Sequence, residues 1–435
     1  WKEQYKPSIL VESGADMIIY GMGEMPTLDL CRSLQEAIQT SHPLLHYDEN
    51  GEPCITTACF RDAVQHTRQI PQTVSLYSEH EIPGHISEED IVLHSFEDSV
   101  RNGKLHAENF RHIEEESNRI HAHRLLQKHG KDWAVVNPPY PPLTQEQLDH
   151  SFDLPYTRLP HPKYKGKRIP AYEMIKFSVN LHRGCFGGCA FCTISAHQGK
   201  QITSRSEQSI LRQINLLKDL PDWKGYLSDL GGPSANMYGM HGKDMTLCEK
   251  CARPSCLYPA ICKNLNQDFA PLLHIYKQVN KLPYIKKAFV GSGIRYDLMN
   301  EAYGRELITH HVSGRLKVAP EHTEDGVLDL MRKPSFTLFE ALNRDFNRIC
   351  RENGLRYQLI PYFISSHPGC HERDMKALSQ KVLGHLNFTL EQVQDLTPTP
   401  MTLSSVMFYT GENPYTGEKV YVARSQGDKR KQKQY

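Results

Sequence analysis

Three cysteines with C-x3-C-x2-C spacing, Cys185, Cys189 and Cys192, are the residues best suited to chemistry. Thiolates this close together repel one another unless a metal neutralises them, so the spacing indicates a metal site. Three ligands leave one coordination position open, whereas a structural zinc usually closes all four. A [4Fe–4S] cluster with one iron free of protein ligands therefore fits these thiols better than zinc. A zinc ion completed by His182 or His197 is the alternative that stays open.

A second cysteine group follows with C-x2-C-x4-C-x5-C spacing: Cys248, Cys251, Cys256 and Cys262. Four thiols in one short segment suit a closed structural zinc site. They suit an auxiliary iron–sulfur cluster equally well. Two disulfides on oxidation are the less favoured alternative. The spacing alone does not separate zinc from a second cluster.

Alternating strands and helices must position both groups, because from residue 174 onward short apolar runs alternate with amphipathic segments. Six strands are predicted, over 175–181, 225–229, 287–291, 316–320, 357–365 and 393–396. Such alternation implies a parallel sheet with right-handed crossovers. The first cysteine group directly follows the first strand, and the second group lies between the second and third strands. Periodicity does not decide whether this sheet closes into a barrel.

The residues before the sheet, 1–150, are predicted to form an incomplete Rossmann-like α/β domain with a helical extension. A strand is expected over 15–20, and helices from near Pro26, over 56–69 and over 107–128. Because the chain begins at Trp1, we expect earlier strands of this domain to be missing. Four prolines within 138–142 predict a linker. The next domain is expected over 170–400, and a C-terminal extension with a basic, disordered tail over 401–435.

The bulk properties narrow the class of protein. A net charge of +1 over 435 residues creates no field that would demand a nucleic-acid or membrane partner. We find no apolar run that could span a bilayer and no signal peptide. Clustered thiols without a secretion signal favour a reducing compartment, so a cytoplasmic protein is expected.

The first cysteine group, with Phe191 before its last cysteine, resembles the signature of the radical S-adenosylmethionine (SAM) superfamily. That resemblance implies a (βα)6 partial TIM barrel whose cluster binds SAM and cleaves it reductively to a 5′-deoxyadenosyl radical. In barrel folds, active sites gather where the strands end at their carboxyl side. The segments at those ends are therefore candidate cofactor contacts.

The resemblance implies SAM contacts at several of these strand ends. Phe191 would lie near the adenine, and Gly231-Gly232 stands where the family holds the SAM amino group. The family's glutamate is absent from that segment, so backbone carbonyls would have to replace it. The remaining candidates are Ser292 and Glu321 for the ribose, Arg205 or Arg295 for the carboxylate, and His367 beside the adenine.

A narrower resemblance comes from the second cysteine group and three further segments. These are Cys-Ala-Arg-Pro-Ser-Cys-Leu-Tyr-Pro, Asp-Leu-Gly-Gly-Pro-Ser-Ala-Asn, Gly-Ser-Gly-Ile-Arg-Tyr-Asp and Val-Ala-Pro-Glu-His-Thr. Together they resemble the YgiQ family of radical SAM proteins over nearly the whole chain. An Asp-x-His-x-x-Gly segment is absent, so cobalamin ligation by a histidine is not supported, although the missing front of the domain leaves cobalamin open.

The leading interpretation is a radical SAM enzyme that abstracts hydrogen from an unknown substrate. It would need a low-potential electron donor such as a flavodoxin or ferredoxin, and its substrate could be RNA or protein. Two other classes stay open: a zinc-bearing RNA-binding protein, and a two-cluster electron-transfer protein without SAM chemistry.

Overall fold

The computed structural model describes residues 4–40, 46–47, 49–50, 53–54, 67–386, 388 and 392–434. The helix predicted over 56–69 lies almost entirely outside these residues. Among the described residues, the strands before residue 140 are β1 (Met17–Ile19), β2 (His46–Tyr47), β3 (Pro53–Cys54), β4 (Thr73–Ser78), β5 (Ile91–Val92), β6 (Leu125–His129) and β7 (Asp132–Val136). The helices of this part are Ile9–Ser13, Glu24–Thr40, Phe96–Arg101 and Gly103–Ser117.

Five of these strands form one sheet in the order β1-β4-β7-β6-β5. The α/β class is confirmed, but the β1/β4, β4/β7 and β6/β7 pairs are antiparallel and only β5/β6 is parallel. This pairing differs from the parallel order of a Rossmann-like sheet. The reason is local, because the two-residue turn at Gly130, with φ +59°, folds β6 directly back onto β7.

The charged helix predicted over 107–128 ends earlier than expected. The helix spans Gly103–Ser117, and Leu125–His129 is strand β6. Leu125 and Leu126 are buried and pair with Val136 and Val135, so burial in the sheet overrides the helical pattern.

The second half contains each of the six predicted strands. Its strands are β8 (Ser178–Asn180), β9 (His182–Arg183), β10 (Thr203–Ser204), β11 (Tyr226–Leu227), β12 (Asp229–Gly231), β13 (Lys287–Ala288), β14 (Arg315–Glu321), β15 (Gln358–Ser365) and β16 (Gln392–Asp395). The β8/β12, β11/β13, β14/β15 and β15/β16 pairs are parallel, as alternation with helices predicts. Strands β9 and β10 pair antiparallel and flank the first cysteine group.

Helices separate these strands, and the longer ones bury apolar side chains. They span Gln145–Asp153, Pro170–Ile175, Ile194–Gln198, Glu207–Leu217, Met245–Glu249, Ala270–Asn280, Glu301–Glu306, Asp325–Leu330, Phe336–Glu352 and Glu372–Ser379. In Phe336–Glu352 the buried Phe339, Leu342, Phe346 and Ile349 recur every three or four residues, which is the period of one helical face. Each such side chain contributes roughly 1.5–3 kcal/mol on burial. Among the described residues, no helix is both long and apolar enough to cross a membrane.

The C-terminal segment contradicts the prediction of a disordered tail. After the helix Leu403–Thr410, residues Gln426–Gln432 form a further helix whose last residue is 1% exposed. The Gln432 amide accepts a hydrogen bond from Ser366 N at 2.7 Å and donates one to Cys370 O at 2.7 Å. One buried glutamine therefore orders a segment whose composition is polar. The division into domains over 1–150, 170–400 and 401–435 stays a prediction.

Candidate metal and cofactor site

The first cysteine group lies on a loop of residues 184–192, which we call the thiol loop, just beyond β8 and β9. Gly184 has φ +88°, and a Cβ there would overlap the Gln201 carbonyl. Only glycine therefore lets the loop pass so close to residue 201. Cys185 N donates to Gly199 O at 3.0 Å, and Ser195 Oγ donates to Cys185 O at 2.6 Å. The loop is therefore held by backbone contacts before any metal binds.

The three thiols of this loop influence one another electrostatically. Burial, followed by the charge of neighbouring Cys189, raises the pKa of Cys192 to about 12. Burial also raises the pKa of Cys185, with Cys189 again contributing. Because these pKa values disfavour free thiolates, a cation must supply the compensation if the sulfurs are to act as ligands.

Arg295 supplies the nearest fixed positive charge. Its Nη1 donates to Cys189 Sγ at 3.5 Å, and its Nε and Nη2 bind the Asp297 carboxylate at 2.9 and 2.6 Å. Burial lowers the pKa of this guanidinium, but the Asp297 hydrogen bonds and the Cys189 charge outweigh burial and raise it. A Cβ at Gly187 would lie 2.7 Å from Nη1. Arg295 is thus brought to the predicted site, where it faces a sulfur.

The ends of β12 and β13 form a small polar cradle beside this loop. Asp229 Oδ1 accepts hydrogen bonds from Gly291 N at 2.8 Å and Ser292 N at 3.0 Å, and Oδ2 accepts one from the Ser292 hydroxyl. A Cβ at Gly231 would lie 2.8 Å from Ser292 Oγ, and one at Gly232 would lie 2.6 Å from His182 Nε2. Both predicted glycines are therefore required by close packing.

Glu321 ends β14 at a register shift between Val318 and Glu321, with φ +72°. Burial raises the pKa of its carboxyl to about 7, against the lowering effects of Lys333 and Arg295. Lys333 Nζ lies 3.9 Å from Glu321 Oε1. The Glu321 charge in turn contributes to the raised pKa of Cys192, so this side chain faces the thiol loop.

His367, at the end of β15, lies beside Phe191 with ring centroids 6.4 Å apart in an edge-to-face arrangement. Its Nε2 contacts Ser404 Oγ at 2.6 Å, and Nδ1 contacts Pro368 O at 2.8 Å. Burial lowers the pKa of His367 to about 3, so the ring is neutral. The structure brings these two predicted residues together.

Arg205 departs from its predicted role in binding the SAM carboxylate. It is fully buried, and its guanidinium donates to Asn180 O, Gln213 Oε1 and both oxygens of Ser209. It also lies 4.1 Å over the Phe152 ring. These contacts satisfy its donors, so Arg205 ties the helix Glu207–Leu217 to β8 and has no free donor for a ligand.

Of the two histidines considered as completing a zinc site, His182 is engaged elsewhere, because its Nε2 lies 3.0 Å from Ser234 O. Among the described residues, no three His, Cys, Asp or Glu side chains gather closely enough to hold a single metal ion. Thiolates at the outer corners of a four-iron cube stand farther apart than those around one zinc. The choice between a cluster and a zinc ion on these thiols stays a prediction.

The second cysteine group lies on residues 248–262, the Cys-rich insert, which packs directly on the thiol loop. Cys256 N donates to Phe186 O at 3.0 Å, and Ser255 Oγ donates to Gly187 O at 2.8 Å. Gly188 has φ +58°, and a Cβ there would overlap the Pro254 carbonyl. All the described cysteines of both groups are free thiols.

The four thiols of the insert also lie close to one another. Burial raises the pKa of Cys256 to about 11; Lys200 opposes this shift, and the other three thiols add to it. Lys200 is 5% exposed and its Nζ contacts Cys251 Sγ at 3.7 Å. Asn264 Nδ2 contacts Cys248 Sγ at 3.4 Å.

Sequence reasoning missed Asp229, Lys200 and Asn264 as members of these sites. Asp229 directly precedes the Leu-Gly-Gly segment at a strand end, which was a usable signal. Lys200 and Asn264 lie outside the cysteine spacing, and only the tertiary fold brings them to the sulfurs.

Comparison with family models finds two matches. Residues 1–178 match the model described as Radical SAM N-terminal. Residues 391–435 match a domain of unknown function, DUF3362.

Among curated proteins, a UPF0313 protein of Bacteroides thetaiotaomicron is 56% identical over all of this chain and 70% of its own length. A UPF0313 protein of Porphyromonas gingivalis is 50% identical over 99% of this chain and 66% of its own length. The UPF0313 protein YgiQ of Escherichia coli K12 is 38% identical over 99% of this chain and 63% of its own length. The chain thus spans about two thirds of these relatives.

Among solved structures, the chain is similar to the radical SAM methyltransferase TsrM from Kitasatospora setae with cobalamin and [4Fe-4S] cluster bound. The TM-score is 0.45 at 13% identity, over 92% of this chain and 56% of that one.

Proposed function

Because the chain belongs to the UPF0313 family and its first 178 residues match the Radical SAM N-terminal model, we propose that it is a radical SAM enzyme. The thiols of Cys185, Cys189 and Cys192 would hold a [4Fe–4S] cluster, and SAM would bind its remaining iron. When bound and reduced, the cluster would supply one electron that breaks the C5′–S bond of SAM and leaves methionine and a 5′-deoxyadenosyl radical. The reaction on the substrate is left open.

The observation that carries the proposal is a set of three partly buried thiols on one loop, at the carboxyl end of the first strand of a parallel sheet. Three thiols would leave one corner of a cube without a protein ligand. Arg295 donates to the sulfur of Cys189, and this positive charge would favour the reduced state of a bound cluster, because it offsets the charge of the added electron.

Polar groups around the loop are suited to hold the SAM ligand. Phe191 and His367 offer ring edges and faces for the adenine, and Gly231 leaves room for close backbone approach. The Ser292 hydroxyl donates to Asp229, which would leave the Ser292 oxygen to accept a hydrogen bond from a ribose hydroxyl. Among the described residues, the buried Tyr296 hydroxyl lacks a hydrogen-bond partner. Burial raises the pKa of this hydroxyl, and the charges of Glu321 and Cys189 add to the increase, so Tyr296 lies near both. A polar ligand at this place would give the Tyr296 hydroxyl a partner.

Glu321 would control a proton at this site. Because burial raises its pKa to about 7, the carboxyl is partly protonated near neutral pH. In that state it donates a hydrogen bond to a ribose oxygen, and in its ionised state it accepts one. Lys333 favours the ionised form of Glu321, because its ammonium lies 3.9 Å from Glu321 Oε1.

The compartment, the electron donor and the substrate class are proposed from the same radical SAM activity. The enzyme would work in the cytoplasm and receive electrons from a low-potential donor of the flavodoxin or ferredoxin class. RNA or protein stays the proposed substrate class, because a partial barrel is open at its side.

The test is anaerobic purification of the chain, followed by reduction with dithionite in the presence of SAM. We expect brown protein that releases 5′-deoxyadenosine, which is quantified by chromatography. Cys192→Ala should abolish this product, whereas Cys31→Ala, at an exposed free thiol, should not. Colourless, zinc-loaded protein would reject the proposal in favour of a zinc protein. Iron-loaded protein that forms no 5′-deoxyadenosine would reject it in favour of an electron-transfer protein.

A further inference from the structure

We propose that the Cys-rich insert holds a second [4Fe–4S] cluster that exchanges electrons with the cluster on the thiol loop. The proposed ligands are Cys248, Cys251, Cys256 and Cys262. The relay role rests on the proposed function, whereas the existence of the second cluster does not.

The four thiols suit a cluster as well as they suit zinc, and the position of the insert beside the thiol loop is the reason for proposing a cluster. Four thiols from one segment supply the full ligand set of a [4Fe–4S] cube. A tetrahedral zinc would take the same four sulfurs, but it has no redox chemistry and could not exchange electrons with a neighbouring cluster.

Two donors from outside the insert point at its sulfurs. Lys200 is buried, and its ammonium lies 3.7 Å from Cys251 Sγ while it also donates to Arg253 O at 2.8 Å. Asn264 Nδ2 lies 3.4 Å from Cys248 Sγ. Burying an ammonium is costly unless negative charge accompanies it, and a cluster with four thiolates supplies that charge. Donors to the sulfurs are also a means by which proteins set cluster potentials.

The position of the insert supports electron exchange. Cys256 and Cys185 are connected through one peptide hydrogen bond, from Cys256 N to Phe186 O at 3.0 Å. Ser255 Oγ donates to Gly187 O at 2.8 Å, which adds a second bridge between the same two loops. Little space therefore separates the two sets of ligands.

The electron step balances without any bond change. A reduced cluster at the insert would give up one electron, and an oxidised cluster on the thiol loop would accept it. No proton or leaving group moves. A one-electron donor of the flavodoxin or ferredoxin class restores the insert site, and dithionite replaces this donor in the experiment.

The decisive experiment uses the full chain with Cys185, Cys189 and Cys192 all changed to alanine. We expect this variant to remain brown, to keep half of the iron and sulfide of the unmodified chain, and to show a paramagnetic resonance signal after dithionite reduction. Zinc in place of iron, or no metal in a folded variant, would overturn the proposal.

If the triple variant fails to fold, the unmodified chain still decides the question. It should contain twice the iron of one [4Fe–4S] cluster and no zinc. On full reduction, its two signals should broaden one another, because the clusters are close. One cluster's iron together with zinc would overturn the second site, and two independent signals would overturn the relay.

The role of Lys200 provides a matched test. In the triple-alanine background, Lys200→Met should shift the reduction potential of the insert site to a more negative value, because a buried positive charge is lost. Lys250→Met removes an exposed lysine within the same insert and should shift the potential less, since solvent screens it. Equal shifts would show that Lys200 does not face a cluster.

These readouts separate the inference from the proposed function. Metal content and potential do not require SAM cleavage. If both sites load with iron but no 5′-deoxyadenosine forms, the proposed function fails and the second site stands.

Discussion

The thiols of the thiol loop face charged side chains more than a hundred residues away in sequence, whereas the turns of the Cys-rich insert bring its own thiols together. Cys189 accepts a hydrogen bond from Arg295, and Cys192 faces Glu321, each at the end of a different strand or turn. In the insert, Cys251 N bonds to Cys248 O and Cys262 N bonds to Cys256 O. Three thiols on a loop therefore take their charged environment from several strand ends, while four thiols in one segment gather largely through local turns.

The contact between the two regions is expected to give the largest effect when it is broken. Gly188→Ala places a Cβ against the Pro254 carbonyl and 2.8 Å from Ser255 Cβ, at a positive φ that alanine disfavours. The insert must then move off the thiol loop, so we expect most of the iron to be lost from both regions. Iron and sulfide analysis after anaerobic purification measures this loss.

A matched control for this variant is Gly326→Ala. A Cβ at Gly326 meets nothing within 4 Å, and the residue lies in a helix, where alanine is favoured. Its metal content should equal that of the unmodified chain. Full metal content in Gly188→Ala as well would mean that the two regions do not depend on each other.

A substitution at Arg295 tests how much the Arg295–Asp297 ion pair beside the thiol loop stabilises the fold. Arg295→Met leaves the Asp297 carboxylate buried without its partner, which typically costs about 3–5 kcal/mol. Urea denaturation should show this loss as a lower midpoint, while the insert keeps its metal. Adding Asp297→Asn should recover part of the loss, because the unpaired charge is removed; no recovery would contradict the assigned ion pair.

Gly242 tests the insert alone. A Cβ at Gly242 would overlap Cys248 Sγ and lie 3.1 Å from Asn264 Nδ2. We therefore expect Gly242→Ala to lose the metal of the insert and to keep that of the thiol loop. Metal analysis combined with resonance spectroscopy distinguishes the two sites. Loss of both metals would show that the insert organises the loop, contrary to the comparison.

The smallest expected effect is a dependence of the free energy of unfolding on pH, which is caused by His367. Burial lowers the pKa of His367 to about 3, against about 6.5 in the unfolded chain. The unfolded state therefore binds more protons between these values, and stability falls as the pH drops below about 6.5. Between pH 7 and pH 5 this group contributes a loss of about 2 kcal/mol.

His367→Gln removes that titration while keeping a donor for Ser404. Urea midpoints at pH 7 and pH 5 should differ less in this variant than in the unmodified chain. Identical pH dependence in the two proteins would mean that folding does not lower the pKa of His367.

The six strands of the second half and the seven thiols could be predicted from the sequence, because both depend on short-range patterns. Apolar runs marked β14 and β15, and cysteine spacing marked both groups. The SAM contacts were harder to predict, because they depend on which donors are already satisfied. Arg205 stands at a strand end as a ligand residue would, but Ser209 and Gln213 from the next helix occupy it.

The misjudged segments share one cause, since composition does not reveal what a segment will touch. The Gln426–Gln432 helix is polar, and it is ordered because Gln432 satisfies Ser366 N and Cys370 O inside the barrel. The strand Leu125–His129 follows a helix, and the glycine turn after it folds it onto β7, where Leu125 and Leu126 are buried. A long-range contact outweighs composition in the first case, and a local turn with burial in the sheet does so in the second.

The close approach at Gly188 also has a consequence for how this family changes over evolution. Since a side chain there is incompatible with the backbone carbonyl of residue 254, no replacement of Pro254 relieves the overlap. Relatives that keep the two loops in contact should therefore keep glycine at this position, whereas the exposed surface of the insert around Lys250 is free to drift.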